Sequence, residues 1–194
     1  MAKNPNPQGK GLVAVLSDLD ARKLERSALP KNIDQVSSEL FTSLFVLRSK
    51  FRFNPVVGED YWLYRVSNEF QLFMLGPDDW PGGHPGQLIG ACTLQDDMTW
   101  TIALDSEAAA DEGLMEYLRV EQEAFSASLD QADTVEDVLP VFEGELPYFQ
   151  RVLAFGLGRS LGSSMVNAGI AQLSYRQAKG LLAAPDRGTD SEAE

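Results

Sequence analysis

The residues best suited to thiol chemistry are Cys92 and His84, the single cysteine and the single histidine of the chain. A histidine base activates a thiol when the two groups lie within hydrogen-bond reach. However, His84 lies in a glycine- and proline-rich segment, whereas Cys92 shares the two-residue alternation of Leu88 and Leu94 in a predicted strand. A cysteine on the apolar side of a strand acts as a small hydrophobic residue. The sequence therefore predicts no catalytic residue here.

Ligands for a metal ion are equally sparse, since one His and one Cys would leave a zinc site dependent on carboxylates. Asp96 and Asp97 could hold magnesium or divide acid and base roles. They fall where the strand pattern requires a turn, and aspartate is a common turn residue. Asp130, Asp133 and Asp137 do not match a calcium loop. We predict no metal and no cofactor, and keep a carboxylate-based enzyme or small-ligand-binding protein as an alternative.

Recognition of phosphate or nucleic acid is disfavoured by both motif and charge. The glycines at 9–11 and at 156–162 lack the residues and spacing of nucleotide-binding loops. The net charge of the chain is −13, and residues 66–94 contain no Lys or Arg. A phosphate polymer gains affinity from clustered cations. We therefore predict that the protein binds no nucleic acid.

Charge is distributed unevenly along the chain. Residues 95–149 carry 15 acidic and 1 basic side chain, a balance of −14, whereas residues 150–184 carry four basic groups and no acid. We predict that these segments pack together or meet a partner. The apolar, arginine-containing stretch 149–182 also suits an anionic membrane surface, so peripheral membrane association is a further alternative.

Length and composition predict one folded unit in the cytoplasm. A chain of 194 residues lies near the upper end of single-domain size. We predict a flexible arm over residues 1–11, a single α+β domain over 12–184 and a disordered acidic tail over 185–194. The lone cysteine and the lack of a secretory or membrane-spanning apolar run favour a soluble cytoplasmic protein.

The clearest helical signal covers one predicted helix from Ile33 to Phe51. Its apolar residues recur at steps of three and four: Ile33, Val36, Leu40, Leu44, Leu47 and Phe51. Phe41 and Phe45 widen this face, and Asn32 with Gln35 predicts a capping box at the start. We expect the apolar face to cover one side of a sheet.

Four short runs rich in aromatic and β-branched residues predict a small antiparallel β-meander at 61–66, 70–75, 87–94 and 98–104. Residues 67–69 and 95–97 suit tight hairpins, and Trp80 is expected to pin the loop 76–86. A helical half follows over about 112–182. It includes a capping signal at Thr134 and Asp137, and a helix from Pro147 with a break near Gly162.

Two stretches carry a family resemblance. One is the run Asn4, Pro5, Asn6, Pro7, Gln8 and Gly9. The other lies between residues 61 and 101 and consists of Tyr61, Leu63, Tyr64, Pro77, Trp80, Leu88, Gly90, Leu94, Asp97, Trp100 and Thr101. Together they resemble an uncharacterised family of bacteria and eukaryotes that is known only as a domain of unknown function. The resemblance implies no activity or cofactor, and it supports the sheet prediction.

These patterns favour a non-enzymatic module that binds or scaffolds an unidentified protein partner. The predicted contact surface is the loop 76–86 with Trp80, together with Tyr64, Asp97 and Trp100. Proline and glycine restrict the loop that presents Trp80, and tryptophan is a frequent interface anchor. A Trp80 that plugs the sheet edge is the alternative. The oligomeric state, including a homo-oligomer, stays open.

Overall fold

The computed structural model of the chain describes residues 28–140 and 146–183. The predicted arm at 1–11 and the predicted tail at 185–194 lie outside these residues. Within them, a four-stranded antiparallel sheet and five α-helices form an α+β fold, which confirms the predicted fold class.

Helix α1 spans Ile33–Leu47 and begins at the predicted capping box. The Gln35 amide donates to Asn32 Oδ1 at 2.9 Å, and the Asn32 amide donates to Gln35 Oε1 at 3.0 Å. The prediction that the helix continues to Phe51 is wrong. The chain leaves the helix after Leu47 because Lys50 pairs with the second strand: its amide donates to Phe70 O at 2.8 Å.

The sheet contains β1 (Asp60–Val66), β2 (Glu69–Phe73), β3 (Gln87–Leu94) and β4 (Trp100–Leu104). All neighbouring strands are antiparallel, but their order is β2-β1-β3-β4 rather than that of a sequential meander. The outer edge of β2 is occupied by Lys50, whose carbonyl accepts from the Leu72 amide at 3.0 Å. Strand β3 therefore pairs with the open edge of β1.

Both tight turns fall where the sequence predicts them. Ser67 and Asn68 have positive φ angles of 49° and 68°, so a two-residue turn joins β1 to β2. Between β3 and β4, the Gln95 amide donates to Thr99 O at 2.8 Å, and Met98 takes a φ of 69°.

The hydrophobic core lies between α1 and one face of the sheet. The sheet contributes buried side chains at alternating positions, namely Tyr61, Leu63, Leu72, Cys92, Leu94 and Trp100. Helix α1 contributes its predicted stripe, including Val36, Leu40 and Leu47, each fully buried. The two elements are also hydrogen-bonded, since the Trp100 amide donates to Ser43 Oγ at 2.8 Å. The prediction that α1 covers one face of the sheet is confirmed.

The second half of the chain is helical, as predicted. It comprises α2 (Ser106–Ala110), α3 (Glu112–Gln131), a 3-10 turn (Val135–Val138), α4 (Tyr148–Asn167) and α5 (Tyr175–Ala183). Helix α4 buries Leu153, Leu157 and Leu161, and Gln150 Nε2 donates to the Ser49 carbonyl at 2.8 Å. These apolar side chains thus face the core. Within the described residues, no helix has the length and hydrophobicity that crossing a bilayer requires.

The predicted break near Gly162 is wrong, because α4 continues to Asn167. At Gly162 the helix passes close to Leu139, whose Cδ1 would lie 3.3 Å from an added Cβ. The chain turns instead at Gly169, which takes a φ of +72°. Beyond that turn, Arg176 pairs with Asp130 at 3.4 Å, and this ion pair joins the basic and acidic segments.

Candidate functional site

Tyr64 and Trp80 meet on the face of the sheet opposite α1. Tyr64 follows Leu63 by one residue and therefore points away from the core face. Its ring centroid lies 6.1 Å from that of Trp80, and Trp80 Nε1 donates to Tyr64 Oη at 3.3 Å. Phe73 completes the cluster, 5.3 Å from Trp80. Burial raises the pKa of the Tyr64 hydroxyl, which stays protonated at neutral pH.

The loop that carries Trp80 is folded over this face of the sheet. It begins with a 3-10 turn, Pro77–Asp79, in which the Gly76 amide donates to Asp79 Oδ2 at 3.0 Å. Near its end lies His84, whose ring stacks on Tyr64 at a centroid distance of 6.1 Å and whose Nδ1 lies 2.6 Å from Gly86 O. Tyr64 is fully buried beneath this loop and Phe73, and Trp80 contributes to that cover.

Cys92 and His84 lie on opposite faces of the sheet. Cys92 pairs with Tyr61 on the core side and is fully buried. Burial raises the pKa of its thiol to about 12, so the thiol stays protonated near neutral pH. His84 is exposed on the other side, next to Tyr64. This geometry separates the two residues that a thiol mechanism would require.

Asp97 anchors the β3–β4 turn to the residues that precede α1. Its Oδ2 accepts from Lys31 Nζ at 2.5 Å, and its Oδ1 accepts from the Thr99 amide at 3.1 Å and the Thr99 hydroxyl at 2.6 Å. Lys31 also binds Glu39 at 2.5 Å. Burial would raise the pKa of Asp97, but the bonds from Lys31 and Thr99 outweigh it and lower the pKa. This role of Asp97 is structural.

The four predicted contact residues do not form one surface. Tyr64 and Trp80 lie together on the outer face, Asp97 lies in a turn, and Trp100 is 1% exposed on the core face. Trp100 packs against Tyr61 with ring centroids 6.0 Å apart. Only Trp80 and Asp97 retain partial exposure.

Asp111 anchors the start of α3 to the sheet. Asp111 Oδ2 accepts from Gln87 Nε2 at 2.9 Å and from Arg65 Nη2 at 3.2 Å, while its Oδ1 caps α3 through the Leu114 amide at 3.0 Å. The bond from Gln87, with that from Leu114, lowers the pKa of Asp111. Across residues 28–140 and 146–183, no three His, Cys, Asp or Glu side chains are placed to hold a metal ion.

A groove of about 890 Å³ lies between α1, β4 and α3. Its apolar surface comes from all three elements: Phe41, Phe45, Trp100, Ile102, Leu104, Met115 and Leu118. Two of these side chains are substantially open to solvent, Leu104 at 42% and Met115 at 39%. Sequence analysis missed this site. The sequence feature that could have indicated it is the width of the apolar face of α1. Phe41 and Phe45 lie beside the stripe of residues that is buried in the core.

The polar rim of the groove is mainly acidic and hydroxylic: Ser38, Glu39, Thr42, Thr101, Glu112, Glu116, Arg119 and Gln122. Arg119 is held by carboxylates of its own helix, at 2.6 Å from Glu116 and in a second ion pair with Glu123. Its positive charge is therefore neutralised locally. On the opposite wall, Glu39 is paired with Lys31.

The groove lies in the part of the chain that matches a known family. Residues 28–119 match the model of a protein family of unknown function (DUF2452). The match confirms the resemblance to an uncharacterised family. Every groove-lining residue except Gln122 falls within the DUF2452 match, whereas α4 and α5 lie beyond it. The run at residues 4–9 precedes both the match and the described residues. No curated protein and no solved structure matches the chain.

Proposed function

We propose that the protein is a non-enzymatic protein-binding module whose contact surface is the groove between α1, β4 and α3. The observation that carries this proposal is an apolar groove surface open to solvent, with Leu104 of β4 and Met115 of α3 about two-fifths exposed. Apolar side chains gathered in a concave surface are typical of binding sites. Covering them with a protein segment would remove that surface from water, which favours association.

The composition of the groove supports binding rather than catalysis. Among the described residues that line it, none is Cys, His or Lys. Two of its three glutamates, Glu39 and Glu116, are engaged in ion pairs with neighbouring cations. The adjacent carboxylates Asp96 and Asp97, on which the enzyme alternative depends, are not part of its lining.

The loop around Trp80 is a weaker candidate surface. Both the ring and the Nε1 group of Trp80 are already used in contacts with Tyr64 and Phe73. A partner that engaged Trp80 deeply would have to break these contacts. The groove offers apolar side chains without that cost.

Two substitutions on α3 test the proposal as a matched pair. Met115 lines the groove and Val120 does not, yet both are exposed apolar residues of the same helix. We expect Met115→Glu to abolish recovery of a partner protein in a quantitative pull-down, because it places a charge on the apolar surface of the groove. Val120→Glu should leave recovery unchanged. Thermal melts of both variants would establish that each is folded.

The pull-down also has a clear negative result. Recovery of the same proteins in the same amounts by wild type, Met115→Glu and Val120→Glu would remove the groove from the proposal. Partner loss on Trp80→Ala alone, with both α3 variants active, would assign the contact to the loop instead.

A further inference from the structure

We infer that the segment bound in the groove is a basic amphipathic helix. This inference rests on the proposed function of the groove and specifies the chemistry of its partner. It follows from the charge on one wall, the dimensions of the walls and the apolar residues between them.

Helix α3 carries an excess of negative charge, part of which lines the groove. Residues 112–131 contain five acids, Glu112, Glu116, Glu121, Glu123 and Asp130, and one base, Arg119. Arg119 is paired with Glu116 and Glu123, and Asp130 is paired with Arg176 of α5. Of the five acids, Glu112 and Glu116 line the groove, and Glu121 lies on the same helix outside the lining. A partner with like charge would be repelled by this wall, and a basic one would be attracted to it.

The two walls differ, which gives the partner an orientation. On α1, the Glu39 carboxylate lies 2.5 Å from Lys31, which is shared with Asp97, so these three groups together keep one negative charge. The larger excess of negative charge lies on α3, where Arg119 is the single base among the four glutamates Glu112, Glu116, Glu121 and Glu123. Lysines or arginines of the partner would therefore face α3, while its apolar side chains would rest on Ile102 and Leu104 of β4 and on Phe41 of α1.

The length of the groove walls matches that of a short helix. Its lining residues span 38–45 on α1 and 112–122 on α3, which at 1.5 Å per residue correspond to about 10 and 15 Å. Two to three helical turns have the same length. An amphipathic helix that lays its apolar face in a groove is a recurrent mode of peptide recognition.

Three labelled peptides of about 14 residues, four helical turns, form the probe set. The lysine peptide has leucines at helical spacing and lysines on the opposite face. The glutamate peptide has the same sequence with every lysine replaced by glutamate. The proline peptide is the lysine peptide with a proline at its central position. Binding of each peptide to the full chain would be measured by fluorescence anisotropy at about 0.05 M and about 0.5 M salt. The higher salt concentration shortens the electrostatic screening length severalfold.

We expect the lysine peptide to bind at least about tenfold more tightly than the glutamate peptide at low salt, since several exposed charge pairs contribute together. High salt should narrow this ratio, and the central proline should weaken binding about tenfold or more. Glu112→Gln, which removes a charge from the groove lining, should weaken binding of the lysine peptide about two- to threefold. Glu121→Gln, on the same helix but outside the groove lining, should change the affinity for the lysine peptide less.

Each contrary result has a distinct meaning. Equal affinity for the lysine and glutamate peptides, or unchanged affinity with the proline, would overturn the basic-helix inference. If Met115→Gln still weakened binding and Val120→Gln did not, the groove would remain a peptide site and the proposed function would stand. Tight binding that neither Glu112→Gln nor Met115→Gln affects would overturn the inference and count against the groove itself. Self-association of the chain that Met115→Gln removes would assign the groove to a second copy.

Discussion

At the turn between β3 and β4, one carboxylate holds together three parts of the chain. Asp97 binds Lys31 before α1 and Thr99 inside the turn, and Lys31 in turn binds Glu39 on α1. Burial would lower the pKa of Lys31, but its bonds to Asp97 and Glu39 outweigh that effect and raise the pKa. Both charged forms are thus favoured by folding near neutral pH.

Asp97→Asn should lower the free energy of unfolding by about 1 kcal/mol at neutral pH, a modest figure because the pair is partly exposed. The folded-state pKa of Asp97 lies below the ordinary value of 3.8, so its contribution is present above that value. It is lost as the pH falls through the lower, folded-state pKa. Urea unfolding of wild type and Asp97→Asn at about pH 7 and about pH 3 would test this. The difference in free energy of unfolding between the two proteins should be smaller at the lower pH.

Glu59→Gln, an exposed carboxylate outside this cluster, provides the control and should have little effect at either pH. A cost of Asp97→Asn that stayed constant into acid would show that the charge of Asp97 does not contribute to stability.

At the scale of elements, the sheet depends on close contact between β3 and β4. A Cβ added at Gly90 would lie 2.2 Å from Ala103 O and 3.0 Å from Leu104 Cα. These are backbone atoms of the neighbouring strand, so they cannot move away without separating the strands. The register shift opposite Leu63 and Tyr64 falls beside this position. Glycine is required at Gly90 for this packing reason.

Gly90→Ala should lower the free energy of unfolding by about 2–4 kcal/mol, because the added methyl overpacks a backbone contact. Chemical denaturation would measure the change. Gly82→Ala is the matched control, since a Cβ at Gly82 meets nothing within 4 Å. It should change stability by less than about 0.5 kcal/mol. Similar stabilities for the two variants would contradict the close approach of β4 to β3 at Gly90.

At the scale of the whole molecule, the two faces of the sheet are covered by different means. One face packs on α1 and the core, and the groove opens beside it at β4. The other face buries Tyr64 beneath the loop 76–86, with Trp80 and His84 against its ring. A substitution on the outer face should therefore change the stability of the protein without changing binding in the groove.

Trp80→Ala should lower the free energy of unfolding by about 2 kcal/mol, less than for a fully buried tryptophan because Trp80 is partly exposed. Trp80→Phe should recover part of this loss by restoring ring packing without the bond to Tyr64 Oη. Binding of the lysine peptide should stay within about twofold of wild type for both variants, as distant sites act independently. Strong loss of peptide binding would show that the two faces are coupled.

Local patterns in the sequence determined the helices, strands and turns. The apolar steps from Ile33 predicted α1, and the Asn32–Gln35 box predicted its start, because both signals act within one or two helical turns. The two-residue alternation around Cys92 is also a local signal, and it correctly predicted that Cys92 is buried. The end of α1 was missed because it is set by the pairing of Lys50 with β2, a contact that no local pattern encodes.

Only the tertiary structure decided which side chains meet. The sequence grouped Tyr64, Trp80, Asp97 and Trp100, but strand alternation and chain reversal send them to different surfaces. It could not reveal the groove, since that depends on how far apart α1 and α3 lie across β4. Helical and strand periodicity fix which way each side chain points from its own element. The distance between elements is set by the packing of the whole core, and that distance created the candidate site.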